Sequence, residues 1–388
     1  MAEALEPAIQ QAEDGVPVNA EFVDFMSWYD DLILNAFPEA AKVFMPEGRP
    51  PKEGEVLRFP DLAATYRLIA EKGPDVFYKG ELGDKVLAYL NEEGSMFTKE
   101  EFENYKPIWR DVLSTTYRDE YEIFTIKNQN FSPIMLTMFN IWEHFDIGKM
   151  GPASADELHL ILETGKSVLP HKAAYYGDPD FWDVPYDILI SKEFADKSAK
   201  KIDMNVAVPE KLVEFEGLVP PPGMAVNINA NNRGCTTNIA VADKDHNIVL
   251  LTQTLGGVFG SLHVVPDTGI TLNNEGIFGF LLDPVNGPNY PAPGKRIENQ
   301  MAGAIILKNG KPWAGIGAAG ADKIPLDIAA TLMRMIEHDV GLQEAIEMPR
   351  ATYFYGMSEV DLDALSWPII HELYNRGHEL SYPGIYAA

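Results

Sequence analysis

Among the residues able to do chemistry, four threonines fall in two pairs: Thr236 and Thr237, then Thr252 and Thr254. A threonine hydroxyl is a weak nucleophile until a base stands beside it. At a chain terminus the residue carries that base as its own amine. The chemistry such a residue supports is attack on an amide through an acyl-enzyme. Read alone, Thr236 and Thr237 serve equally as β-branched residues opening a strand. A second group is Gly317-Ala318-Ala319-Gly320-Ala321. Small residues let backbone N–H groups approach a ligand, and a helix N-terminus attracts negative charge. Such a turn makes an oxyanion hole, although any tight strand-to-helix turn also needs small residues. A third group is Asn273-Asn274-Glu275-Gly276. There the Asn side chains hold a loop, or Glu275 or an Asn faces a polar group of a substrate.

These residues need elements to position them. The stretch from Gly234 to Gly260 reads as two strands, Ile239–Ala242 and Ile248–Thr254, joined by the polar turn Asp243-Lys244-Asp245-His246-Asn247. Antiparallel pairing folds the two ends together, so Thr236 and Thr254 are expected side by side. Further strands are expected at 304–307 and 313–316, and helices at 325–338 and 342–347. The small-residue turn then lies between a strand and a helix. The first half reads as helical, with helices at 5–13, 22–37, 60–71, 80–91, 98–105, 132–143, 155–169 and 191–201. Thr98 and Glu101 are spaced as a capping box, and strands are expected within 116–126. Residues 206–223, with Pro220-Pro221-Pro222-Gly223, read as a flexible surface linker. Helical, then strand-rich, then helical again is a layered α+β arrangement.

Composition bounds the function. The 388 residues are 46% hydrophobic and carry a net charge of −27. Such a surface repels nucleic acid and anionic membranes, so neither is an expected partner. No run is long and apolar enough to span a bilayer. The acidic, helical N-terminus does not read as a signal peptide, which leaves the cytoplasm as the default location. A single cysteine, Cys235, excludes an internal disulfide framework. Cys235 as a nucleophile needs a base, and none is near in sequence. His371 and His378 lack a third ligand at a recognisable spacing, so no metal and no cofactor is expected.

Several ordered blocks carry a resemblance. They include Leu5-Glu6-Pro7-Ala8-Ile9, Phe37-Pro38-Glu39-Ala40-Ala41, residues 54–61 and 72–80, Tyr176-Gly177-Asp178-Pro179-Asp180-Phe181, Pro293-Gly294-Lys295-Arg296 and residues 342–350. The most specific runs from Thr236-Thr237-Asn238 through Thr252-Gln253-Thr254 to Phe259-Gly260, then Thr268-Gly269-Ile270-Thr271-Leu272-Asn273-Asn274. In these blocks the chain resembles the γ-glutamyltransferase (γ-glutamyltranspeptidase) family of N-terminal-nucleophile hydrolases.

The resemblance implies a four-layer αββα sandwich of the α+β class. It implies self-cleavage at the Cys235–Thr236 bond, giving a large-subunit-like part (1–235) and a small-subunit-like part (236–388) of one intertwined domain. The freed amine of Thr236 would activate its hydroxyl, Thr254 would support it, and Gly320 and Ala321 would form the oxyanion hole. The expected partners are a small amide or peptide substrate and the chain's own two fragments.

Departures from the pattern are equally specific. Asn238 replaces the usual His after the two threonines. The acid that holds a substrate α-amino group falls on Phe278, and the serine pair for the α-carboxylate falls on Asn299 and Gln300. The Pro-Ser-Ser-Gly-Gly segment of the large subunit is replaced by Asn130-Phe131-Ser132-Pro133-Ile134. Counterparts of the family's N-terminal segment with its substrate-binding arginine, and of its last strands after the position of Tyr382, are not expected among these residues. The nucleophile block is kept while the γ-glutamyl pocket is not, so poor activity on glutathione and a less charged acyl group are expected. The alternative is an unprocessed, catalytically impaired member with a binding or structural role.

Overall fold

Two periodicities divide this chain. The computed structural model describes residues 1–210, 213–218, 235–282, 287–354 and 356–382. They fall into two compact units, Met1–Trp109 with Val258–Asn274, and Arg110–Gly257 with Glu275–Ala388. Each unit draws on chain from both sides of the Cys235–Thr236 bond.

The first unit is mainly helical. Its helix Lys99–Asn104 opens with the expected capping box, Thr98 and Glu101 each bonding the other's backbone N–H. The single helix expected over 22–37 is two, Ala20–Met26 and Asp30–Ala36. Local side-chain bonds break it: Ser27 Oγ donates to Asp24 O, and Asp30 Oδ1 accepts from the Asp31 N–H. Phe259 packs against the rings of Phe22, Tyr29 and Phe44.

The second unit holds every candidate site residue except Asn273 and Asn274. In chain order it has β1 (Val112–Tyr117), β2 (Tyr121–Ile126), α1 (Ile134–Trp142), α2 (Ala155–Tyr175), β3 (Cys235–Ala242), β4 (Ile248–Gly256) and α3 (Glu275–Gly279). Then follow β5 (Gly303–Lys308), β6 (Lys311–Gly317) and α4 (Ile324–Glu337). Four strands form an antiparallel sheet in the order β6-β5-β2-β1. Asn309 and Gly310, both at positive φ, make the two-residue turn between β5 and β6. Ala304, Ile306 and Ile316 join the core with α1, α2 and α4. Alternation therefore turns Gly303, Gly315 and Gly317 to the opposite face.

That opposite face receives the β3–β4 hairpin. Leu250 lies against Gly303, and Ile248 and Leu250 against Gly315, where a side chain on the glycine would collide. Small residues on β5 and β6 thus set how closely the hairpin approaches. Asp243 shapes the hairpin turn: its Oδ1 accepts from the N–H groups of Asp245 and Asn247, each at 2.9 Å. Among the described residues the layers are helices, sheet and hairpin. This is the expected α+β construction, with one departure. The hairpin's outer face is open to solvent, with Val241 56%, Val249 62% and Leu251 50% exposed.

The stretch expected as a linker needs correction where it is described. Val213 and Leu218 are buried in the core. The Ala207 N–H donates to Arg376 O at 2.6 Å, and the Val208 N–H to Glu163 Oε2 at 3.1 Å. Residues 211–212 and 219–223 of that stretch, including Pro220-Pro221-Pro222-Gly223, lie outside the described residues. Helix α2 runs through Pro170, beyond the expected end at Leu169. Strands Ala351–Phe354 and Met357–Val360 and helix Trp367–Asn375 were not expected.

Candidate active site

The hairpin brings the two key threonines together. Thr236 pairs directly with Thr254, after a bulge between Cys235 and Thr236. Both therefore face the same side of β3–β4, the side turned to the sheet. Thr236 is half-buried and Thr237 exposed. Thr254 Oγ1 accepts from the Gly256 N–H at 2.9 Å. Cys235 begins the strand, but its side chain lies outside the described residues.

Two residues along β3 from Thr236 lies Asn238. Its Nδ2 donates to Thr252 Oγ1 at 2.7 Å, and Thr252 Oγ1 donates to Ala302 O at 3.2 Å. The Asn238 amide fills the space a side chain on Gly317 would need. The hairpin is thereby locked to the strand that leads into the small-residue turn.

That turn has an unusual backbone. Gly320 has φ 131 and Ala321 has φ 58. A left-handed conformation costs an L-residue roughly 1–2 kcal/mol. Such outliers persist only where the surroundings hold them, and they gather at functional sites. A short 3-10 turn, Ala321–Lys323, follows and runs directly into α4. The turn therefore sits at a helix N-terminus, the end that favours anions.

The remaining expected site residues gather on neighbouring segments. Asn299 and Gln300 are buried, and Asn299 pairs with Asn130 in a parallel bridge. Asn130 Nδ2 donates to Met301 O at 2.5 Å. Asn130 thus buttresses the segment 299–301. Loop 176–181 fixes the approach to them: Asp178 Oδ2 accepts from the Arg296 N–H at 2.8 Å, and Asn289 Nδ2 donates to Tyr176 O at 2.9 Å. Helix α3 carries Glu275 and Phe278. Its Gly279 lies so close to Glu298 O that a side chain there would collide. Phe278 is half-buried and Glu275 buried.

Sequence reasoning missed the charges behind these residues. Lys172, on α2, lies 2.6 Å from Asp322 Oδ2 and 3.4 Å from Glu298 Oε2. Burial lowers an ammonium pKa, but Asp322 and Glu298 outweigh it, so Lys172 stays protonated. Burial, with Asp322 nearby, pushes Glu275 up to about 7. Burial, opposed by Lys172, leaves Glu298 well above the usual carboxylate range. No sequence signal joins residues 126 and 150 positions apart.

A groove of about 400 Å³ opens between hairpin and sheet. Its walls include Phe124, Ile126 and Leu250, and its polar end Asn130, Thr252 and Asn299.

Elsewhere in this unit, His378 acquires partners that its own neighbourhood did not reveal. His159, Glu163 and His378 offer ligand atoms within 4.8 Å of one another. Yet His159 Nδ1 and His378 Nε2 are 2.7 Å apart, a hydrogen-bond spacing rather than that of two ligands on one ion. Glu163 Oε1 is also 2.7 Å from Lys166 Nζ. The group is a hydrogen-bonded relay that continues from His159 Nε2 to Asp203 O. The spacing His159 to Glu163, one helical turn, was its only sequence trace.

Comparison with known proteins follows the same lines. The family model described as gamma-glutamyltranspeptidase matches residues 1–386. The chain is 32% identical over 359 residues to the glutathione hydrolase proenzyme of Escherichia coli (strain K12), covering 89% of this chain and 59% of that protein. It is 32% identical over 383 residues to the acylase ACY 1 proenzyme of Pseudomonas sp. (strain SE83), covering 98% of this chain and 65% of that one. It thus spans about three fifths of the length of these curated relatives. The solved structure of cephalosporin acylase from Bacillus halodurans superposes with a TM-score of 0.85 at 28% identity, covering 98% of this chain and 67% of that chain.

Proposed function

Since this chain belongs to the gamma-glutamyltranspeptidase family, we propose that it is a self-processing threonine-nucleophile amidohydrolase or acyltransferase. The carrying observation is the direct pairing of Thr236 with Thr254 at the open end of the hairpin. In this reading the Cys235–Thr236 bond is cleaved first, leaving parts 1–235 and 236–388. The new Thr236 amine then takes the proton of its own hydroxyl as that oxygen attacks an amide carbonyl. The Thr254 hydroxyl supports the nucleophile, and the Gly320–Ala321 backbone N–H groups receive the charge that develops on the carbonyl oxygen. The amine leaves with a proton, and water or a second amine accepts the acyl group.

The substrate class proposed here is read from Phe278, Asn299 and Gln300, with support from the groove that Asn299 lines. Phe278 cannot pair with an α-ammonium group. Asn299 and Gln300 can donate hydrogen bonds to an acyl carboxylate, and the groove at Phe124, Ile126 and Leu250 is apolar. An acyl group without the amino group of glutamate fits these residues better than γ-glutamyl itself. Glutaryl-p-nitroanilide, the des-amino counterpart of γ-glutamyl-p-nitroanilide, is the matching probe.

A denaturing gel with intact mass tests the first step. The chain has a mass of 43.1 kDa. Wild type is expected to give two fragments meeting at Cys235/Thr236, and Thr236→Ala a single band. A wild type that stays whole after long incubation defeats the reading. One observation favours the alternative of an unprocessed member with a binding role: the exposed apolar face of the hairpin.

A further inference from the structure

Lys172 is 7% exposed, on a helix most of whose side chains are buried. A buried ammonium has a large desolvation cost and requires close partners. Both carboxylate partners are chain neighbours of candidate site residues. Asp322 follows Ala321 of the oxyanion turn. Glu298 precedes Asn299 and Gln300. The Phe131 ring, with its centroid 4.3 Å from Lys172 Nζ, follows Asn130, which holds Met301. One ammonium therefore joins three segments that meet at the site but lie far apart in sequence.

The turn has reason to need such a hold. Ala321 sits at φ 58, a conformation it leaves unless constrained. The next residue is the one gripped by Lys172. Release of Asp322 lets the turn relax and re-aims its N–H groups, while release of Glu298 frees the 299–300 segment to shift. Both carboxylates are almost sealed from solvent, Glu298 at 3% and Asp322 at 2% exposure. Water is therefore a poor replacement for the lysine.

We propose that Lys172 is a positioning residue that sets the spacing between the oxyanion turn and the acyl-binding side chains by gripping Asp322 and Glu298 together. It touches no reacting atom and acts through the backbone of 320–321 and the side chains of 299–300. The inference rests on the acyl-transfer reading of the site and deepens it.

Steady-state turnover of glutaryl-p-nitroanilide by the full chain tests it, with Lys172→Met, Asp322→Asn and the double variant. A small misplacement of catalytic groups typically costs about 100-fold. Each single variant is expected to lose about that factor in kcat while KM moves less than about threefold. The double variant is expected to fall no further than the worse single, because both break one tie. If Lys172→Met does not fold, the near-isosteric Asp322→Asn carries the test alone. Unchanged kcat in Asp322→Asn beside an active wild type overturns the inference, as do losses that multiply in the double variant. A wild type that turns over neither glutaryl- nor γ-glutamyl-p-nitroanilide overturns the acyl-transfer reading itself, and this inference with it.

Discussion

At the scale of single residues, the proposal separates chemistry from specificity. In it Thr236 and Thr254 carry the nucleophile, and Phe278 selects the acyl group it meets. An ion pair to a buried ammonium is commonly worth 2–5 kcal/mol when one partner is removed. Phe278→Asp is therefore expected to raise the ratio of γ-glutamyl- to glutaryl-p-nitroanilide turnover at least about tenfold, the equivalent of 1.4 kcal/mol. A ratio that does not move removes Phe278 from the specificity argument. The threonine pairing was legible in the sequence because a hairpin register follows from its turn and its alternation. The Lys172 cluster was not, because its members come from α2, the turn before α4 and the segment before β5. Nothing in a local pattern announces that three such segments converge.

At the scale of elements, glycines decide how closely the hairpin approaches the sheet. Gly317 leaves room for the Asn238 amide, and Gly315 for Ile248 and Leu250. A branched side chain at 317 must push Asn238 off Thr252. Overpacking of this kind typically costs about 1–3 kcal/mol. Gly317→Val is expected to lower the unfolding free energy by that amount, read as a lower urea midpoint at unchanged slope, and to slow self-cleavage. Stability equal to wild type contradicts the packing described for β3, β4 and β6. Elements with strong local signals were read correctly from sequence: the capping box at Thr98 and Glu101, and the hairpin turn at Asp243. The two-helix break within 22–37 was missed because side-chain bonds of Ser27 and Asp30, not glycine or proline, mark it. The strands at 351–354 and 357–360 were missed for another reason. All four residues of the first are buried, so no polar alternation marks it.

At the scale of the molecule, buried histidines couple the fold to pH. Burial first of all holds His171 and His378 at about 3, and it lowers His159 as well. An unfolded histidine takes its proton near 6.5, so between that pH and about 3 these histidines bind more protons in the unfolded chain than in the folded one. The stability they contribute rises with pH across this window and is lost as pH falls through it, while the raised carboxyls of Glu275 and Glu298 act in the opposite sense. The His171 share is read by difference: as pH falls from 6.5 towards 4, the melting temperature of His171→Gln is expected to lose less than that of wild type. Parallel slopes in the two proteins remove His171 as a cause. The α+β class and the family were legible across nearly the whole chain, because ordered blocks from Leu5 to Arg350 keep their sequence. The exposed outer face of the hairpin was not legible, since its alternation of Val, Leu and Ile matches that of any covered strand.

The central claim is that Thr236 becomes an N-terminal nucleophile. Acid quenching during turnover of glutaryl-p-nitroanilide, followed by peptide mass spectrometry, tests it most directly. The account predicts a peptide that begins at Thr236 and carries one added glutaryl group on that residue, absent from Thr236→Ala. An active chain whose Thr236 remains joined to Cys235, or whose acyl group sits on Cys235 or another residue, contradicts it.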